Sequence, residues 1–275
     1  MGCNDADFAY LRDVVFEYSS NALDRSRDYL FESRLNPVMK ASGHKTLGSL
    51  VAALREKPDA AIKRSIADAM MVNETSFFRD RAPFELMRRE LFPALIRTRA
   101  QSRRLRLWSA ACSTGQEAYS LAMMLCESFP QFREWDVEIN GTDVSASVVA
   151  RARAGRYQRI EVNRGLPVNY RLKYTRQVGD EWEITSEVKR MCRFQQRNLC
   201  IGPLLGEKYD GILLRNVMLY FLPETRRALL MNIHRVLHPD GFLILGTSEQ
   251  PDMPEHFEPE QANGTFYYKP IATAS

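Results

Sequence analysis

The chain has 275 residues, 45% hydrophobic and 26% charged, which suits one large α/β domain with or without a small partner and exceeds any disulfide-stapled mini-domain. Its net charge of +4 by itself announces neither a nucleic-acid nor a membrane binder. No run approaches the roughly 18 apolar residues of a membrane-spanning helix. The acidic start MGCNDADFAYLRD lacks a secretory layout, and Ala6 stands where myristoylation wants Ser or Thr. Five scattered cysteines without CxxC fit the reduced thiols of a cytoplasmic protein.

The first hundred residues read as helical. Phe8, Leu11, Val14, Val15 and Tyr18 form one apolar stripe, and Leu30, Leu35, Val38 and Met39 predict a second helix that Pro37 kinks or restarts. Segments 46–56 and 59–72 are short amphipathic helices, and Pro83 opens another whose buried side carries Phe84, Leu86, Met87 and Leu91. From Leu105 the pattern changes. Leu105–Ala110 and Val137–Thr142 predict strands, each followed by a helix (Gln116–Cys126 and Ser145–Ala154). Strand Gly211–Leu214, helix Pro223–Leu237 and strand Phe242–Leu245 after a Pro-Asp-Gly turn continue the alternation. The expected fold class is therefore α/β, with a doubly wound, mostly parallel sheet and an antiparallel edge strand at Gly264–Lys269. Between Tyr157 and Arg197 the alternation breaks. Arg171–Gln177 and Trp182–Thr185, joined by Val178–Asp180, predict an inserted β-hairpin.

Three segments carry candidate chemistry. In LWSAACSTGQEAYS (Leu107–Ser120) a strand runs through small residues and Gly115 into a helix, where backbone N–H groups can meet a ligand. Glu117 in the first helical turn suits the helix dipole, or a ligand ammonium. In GTDVS, Asp143 ends the second strand, where such folds present an acid to ribose hydroxyls; helix capping is the structural alternative. Gly115 and Asp143 are 28 residues apart and no GxGxxG occurs, which disfavours a nicotinamide cofactor and favours S-adenosylmethionine. In YDGILLRNVMLYF (Tyr209–Phe221), Arg215, Asn216 and Tyr220 follow the third strand. His234 and His238, four apart on one predicted helix, lack a third ligand, so no metal site is expected.

Together with NETSFFRD (Asn73–Asp80), Gln195–Leu199 and the turn His238–Gly241, these segments resemble, in order, the chemoreceptor glutamate methyltransferases of the CheR family across nearly the whole chain. The resemblance implies a helical N-terminal domain (1–80), a basic linker helix (81–104) and a Rossmann-like S-adenosylmethionine-dependent methyltransferase domain (105–275). That last domain would carry an inserted antiparallel β-subdomain at about 157–190. It implies that Asn73, Thr75 and Arg79 line the cofactor's methionine side, with Arg79 on its carboxylate. Glu117 would take the amino group, Asp143 the ribose, and Asn198 and Leu199 the adenine neighbourhood. Arg215, Asn216 and Tyr220 would sit near the sulfonium and the incoming substrate, Arg215 and Tyr220 sharing the catalytic role with Arg79.

The reaction implied is methylation of glutamate side chains on the cytoplasmic methylation helices of chemoreceptors, giving γ-methyl esters and S-adenosylhomocysteine. The partners implied are those helices, with no nucleic acid and no membrane insertion, for a monomeric enzyme. The compact stretch Tyr174–Glu187 leads us to expect recognition without a receptor tether peptide. The alternatives are a methyltransferase for another acceptor and a non-catalytic S-adenosylmethionine sensor.

The charge is unevenly spread. Residues 79–104 hold eight basic and three acidic side chains (net +5), residues 151–197 twelve and five (net +7), and the remainder is net −8. If the two basic stretches flank the cofactor cleft, they would steer an acidic helix towards it.

Overall fold

The computed structural model describes residues 3–202 and 208–272. It divides into two compact units: Met1–Val72 together with Leu219–Arg226, and Asn73–Met218 with Arg227–Ser275. The division therefore falls at Val72/Asn73, ahead of the expected 80/81 boundary. It also places the NETSFFRD segment and the linker helix in the unit that holds the sheet.

The first unit is helical: α1 (Asp5–Ser19), α2 (Tyr29–Arg34), α3 (Asn36–Ala41), α4 (Leu47–Glu56) and α5 (Ala60–Met70). Side chains cap three of them. Asn4 and Asp7 form a reciprocal capping box on α1, Thr46 accepts from Ser49 N on α4, and Asp59 accepts from Ala61 N and Ile62 N on α5. Each such cap is worth about 1 kcal/mol. Pro37 restarts the chain as α3, in the first turn, where its missing N–H costs nothing. Leu11, Val15, Phe31, Leu35, Leu50 and Ile66 close the core. Residues 219–226 belong here as well, and Ala22 N donates to the Tyr220 carbonyl at 2.9 Å.

In the second unit a helical run opens at Pro83: α6 (Ala82–Leu86), one π turn (Met87–Leu91) and α7 (Phe92–Thr98). The π turn has a visible cause. Pro93 lacks a backbone N–H and crowds the preceding turn, and the wider turn before it lets Phe92 N reach the Met87 carbonyl.

The chain then alternates through β1 (Arg104–Ala110), α8 (Gln116–Ser128), β2 (Asp136–Asp143) and α9 (Ala146–Ala154). An insertion follows, comprising β3 (Arg156–Gln158), α10 (Arg159–Asn163), α11 (Val168–Tyr174), β4 (Thr175–Val178), β5 (Glu181–Ile184) and α12 (Ser186–Lys189). The alternation resumes with β6 (Cys192–Gln196), β7 (Tyr209–Leu214), α13 (Pro223–Val236), β8 (Leu237–Leu245), β9 (Phe257–Ala262) and β10 (Thr265–Pro270).

The main sheet runs β6-β2-β1-β7-β8-β10-β9, with the first five strands parallel, β10 antiparallel to β8 and β9 antiparallel to β10. Strand order reverses between β1 and β7, and open α/β folds bind ligands at the carboxyl ends of strands at such a point. A second sheet, β3-β5-β4, is antiparallel and lies wholly within the insertion.

Several sequence expectations need correction. Residues 171–174 are helical, so the hairpin is Thr175–Ile184 alone. Strand β8 begins at Leu237, so His238 is on a strand and does not share a helix with His234. The edge strand is β9, with β10 between it and β8. Strand β6 lies inside the stretch that broke the alternation, yet it pairs with β2 in the main sheet.

Candidate functional site

The parallel strands deliver their chemistry at one edge. After β1 the chain turns through Ala111 and Ser113, both at positive φ, and through Gly115 at φ 93°. A Cβ on Gly115 would lie 2.9 Å from the Ala152 side chain, so glycine serves both the turn and the approach of α9. This turn is tied to its neighbours. Ser113 N donates to Asp143 Oδ2 at 2.9 Å, and Ser113 Oγ donates to the Asn73 carbonyl at 3.0 Å. Asp143 is buried, and its Oδ1 accepts from Ser145 N at 3.1 Å. The carboxylate at the end of β2 thus fixes both the β1 turn and the start of α9, and shares the edge with Glu117.

Glu117 is the hub. Its Oε1 accepts from Ser109 Oγ at 2.7 Å and its Oε2 from Arg215 Nη1 at 2.8 Å. Arg215, whose side chain is 2% exposed, also donates through Nη2 to Asp80 Oδ2 at 2.7 Å and to the Arg79 carbonyl at 2.9 Å. Its Nε is buried without a hydrogen-bond partner among the described residues. Arg215 therefore already holds two carboxylates, a fact no sequence pattern revealed. Arg79 donates to the Glu74 carbonyl at 2.9 Å and has no ion-pair partner among the described residues.

The remaining expected residues distribute as follows. Asn73 is exposed and Thr75 half-buried, on the segment leading to Arg79. Asn198, whose Oδ1 accepts from Cys200 N at 2.8 Å, and buried Leu199 follow the carboxyl end of β6. Asn216 follows β7 at φ 57°. Tyr220 is on the 219–226 segment that belongs to the helical unit. Cys112 lies beside these groups, but burial, and then the Asp143 charge, hold its thiol well above the ordinary range, so it is no nucleophile.

One residue escaped the sequence reading. Glu249, buried after β8, accepts four backbone N–H groups: Asn216 at 2.7 Å, Val217 at 2.9 Å, Met218 at 2.8 Å and Gly246 at 2.8 Å. It locks the loop carrying Arg215 and Asn216 to the loop after β8. A Cβ on Gly246 would lie 2.5 Å from Glu249 Oε2, so only glycine leaves this carboxylate room. A lone Glu in GTSEQ carries no periodicity or spacing that would have flagged it.

No group of three or more His, Cys, Asp or Glu that could hold a metal occurs among the described residues. His234 Nε2 instead meets the Ile271 carbonyl at 2.8 Å, and its ring packs against His256.

Residues 73–266 match the family model described as CheR methyltransferase, SAM binding domain. The chain is 34% identical over 275 residues to Chemotaxis protein methyltransferase 1 of Pseudomonas aeruginosa, covering 98% of this chain and 99% of that relative. It is 32% identical to Chemotaxis protein methyltransferase Cher2 of Pseudomonas putida at the same coverage. A more distant relative, Chemotaxis protein methyltransferase of Borreliella burgdorferi, is 31% identical over 241 residues, covering 86% of this chain and 85% of its own.

Proposed function

The chain belongs to the CheR methyltransferase family, and on that premise we propose that it methylates glutamate side chains of chemoreceptors from S-adenosylmethionine. When bound, that cofactor supplies a methyl group on a cationic sulfur. The observation that carries the reading is the Glu117–Arg215–Asp80 cluster at the crevice between β1 and β7.

The charges support the cofactor. Glu117, Asp80 and Asp143 against Arg215 and Arg79 sum to −1, opposite to the net +1 of a sulfonium amino acid. In this reading Glu117 receives the ammonium group and Asp143 the ribose. Arg79, which has no ion-pair partner among the described residues, takes the cofactor's carboxylate. Asn73 and Thr75 line the same methionine side, and Asn198 and Leu199 border the adenine.

A glutamate with an ordinary pKa of about 4.3 is already ionised at neutral pH, so the chain need not supply a base. Its task is alignment of the carboxylate oxygen with the methyl group. Arg215 sets the position of Glu117 and of the 79–80 turn, and its Nε–H is a donor without a partner among the described residues. Asn216 follows Arg215 in the chain and borders the incoming carboxylate. The turn between β4 and β5 is only Gly179-Asp180, which supports recognition without a tether peptide.

The test is incubation with labelled S-adenosylmethionine and chemoreceptor cytoplasmic fragments. Label on glutamates that base releases as methanol is expected. Base-stable label, or cofactor binding without transfer to any fragment, overturns the reading.

A further inference from the structure

The two basic stretches meet at a cavity. Within the second unit, a cavity of about 370 Å³ is lined from one side by Phe78, Arg81, Phe84 and Arg88, and from the other by Leu166 and Tyr170 of the insertion. The first group lies in or beside the stretch of net +5, the second in the stretch of net +7. The walls are aromatic. Phe78 packs edge-on against both Phe84 and Tyr170, each with ring centroids 5.1 Å apart. Gly165 makes the approach possible, because a Cβ there would lie 2.1 Å from the Phe77 carbonyl.

The rim is cationic. Arg81 is exposed and has no ion-pair partner among the described residues; Arg88 shares Glu85 with Arg89. The cavity thus offers aromatic walls beneath a cationic rim. An acidic amphipathic helix matches it, with an apolar side chain for the cavity and carboxylates for Arg81 and Arg88.

The cavity wall is also the site wall. Phe78, Asp80 and Arg81 have positive φ of 47°, 65° and 44°. In this turn Phe78 and Arg81 line the cavity, while the Arg79 carbonyl and the Asp80 carboxylate are bound by Arg215. An occupant of the cavity bears on the residues that hold the catalytic arginine.

We propose that this cavity docks an apolar side chain of the acidic receptor helix that presents the glutamate for methylation. The inference rests on the functional reading above and names where its substrate is gripped.

The experiment is steady-state methylation of a receptor cytoplasmic fragment by the full chain and two variants. The double variant Arg81→Glu/Arg88→Glu reverses the rim, and Asn163→Trp fills the mouth without touching the cofactor residues. Melting curves and cofactor affinity confirm that both fold. The expected result is a KM for the fragment raised about ten-fold or more in each, since like charges repel and a filled pocket excludes its anchor. Turnover and cofactor affinity should stay near wild type. At high salt the charge-reversed variant should approach wild type, while Asn163→Trp stays impaired. Wild-type KM in both variants, or losses confined to kcat, overturns the proposal. A wild-type enzyme that leaves no base-labile label on the fragment instead defeats the functional reading, so the two failures are distinct.

Discussion

At the amino end of β7, Asp210 meets Arg99; at its carboxyl end, five residues on, Arg215 meets Glu117 and Asp80. Both clusters are arginine–carboxylate pairs on the same strand, yet they differ in what is left over. Asp210, its side chain 3% exposed, accepts Arg99 Nε and Arg106 N, each at 2.7 Å, and the other two nitrogens of Arg99 take Asp240 at 2.7 and 2.6 Å. Every nitrogen of that guanidinium has a carboxylate, so the cluster is a staple between α7, β7 and β8. At the carboxyl end Arg215 keeps a buried Nε without a partner among the described residues, and the loops around it hold positive φ at Ser113, Asp80 and Asn216. Unsatisfied donors and strained turns persist where a ligand completes them. Sheet polarity decides which end that is, because open α/β folds bind at strand carboxyl ends.

The sharpest way to break the comparison is to remove one arginine from each end. Arg215→Ala should lower kcat about 10³-fold, the scale of losing a preorganised electrostatic donor, with methyl-transfer kinetics as the check. Next in size is Glu249→Gln. Its amide nitrogen would face backbone N–H groups that now meet a carboxylate oxygen. Two buried donors lose their acceptor, at about 3 kcal/mol in total, read as a lower denaturant midpoint together with reduced kcat.

Arg99→Ala should cost about 2–3 kcal/mol of stability, since it strands a buried carboxylate, while leaving kcat and KM unchanged below its melting temperature. A kinetic defect there would erase the distinction between the two ends. Glu117→Gln should weaken S-adenosylmethionine binding about ten- to thirty-fold by calorimetry, the loss of one charge-assisted hydrogen bond.

The smallest effect is a pH dependence. The hydrogen bond from Arg99, and then its charge, hold the Asp240 carboxyl below the ordinary aspartate range. A depressed carboxyl pKa stabilises the fold above the unfolded value of about 3.9 and loses that contribution as pH falls through the folded value. The melting-temperature gap between wild type and Arg99→Ala should therefore narrow from pH 6 to pH 3. With Asp240 half-exposed, this term is under about 1 kcal/mol.

The residues legible in the sequence were those whose position follows from the chain's own periodicity. Strand β1, the Gly115 turn and α8 read directly from an apolar run, small residues and a helical stripe, and they place Glu117. Asp143 was legible as the acid after the second strand. Its tie to Ser113 N was not, because that bond joins segments 30 residues apart.

The misreadings have similar causes. Arg171–Tyr174 looks like a strand leading into Thr175–Gln177, but Tyr170 and Tyr174 are one helical turn apart and both face inward. Strand β9 (FEPEQA) carries Pro259 and acidic side chains, the composition that protects an exposed edge, so it resembles a loop. Strand β6 is five residues with polar neighbours and gains its identity only by pairing with β2. Glu249 and the Asp80–Arg215 pair are tertiary contacts between loops, where local sequence holds no period to read.

The most direct measurement is methanol release from labelled ester, formed on a receptor fragment by wild type, Arg99→Ala and Arg215→Ala side by side, below the lowest melting temperature. The carboxyl-end cluster as the transfer site predicts base-labile label from wild type and Arg99→Ala at similar rates, and about a thousandth of that rate from Arg215→Ala. Absence of base-labile label from wild type, or equal losses in the two variants, would contradict it.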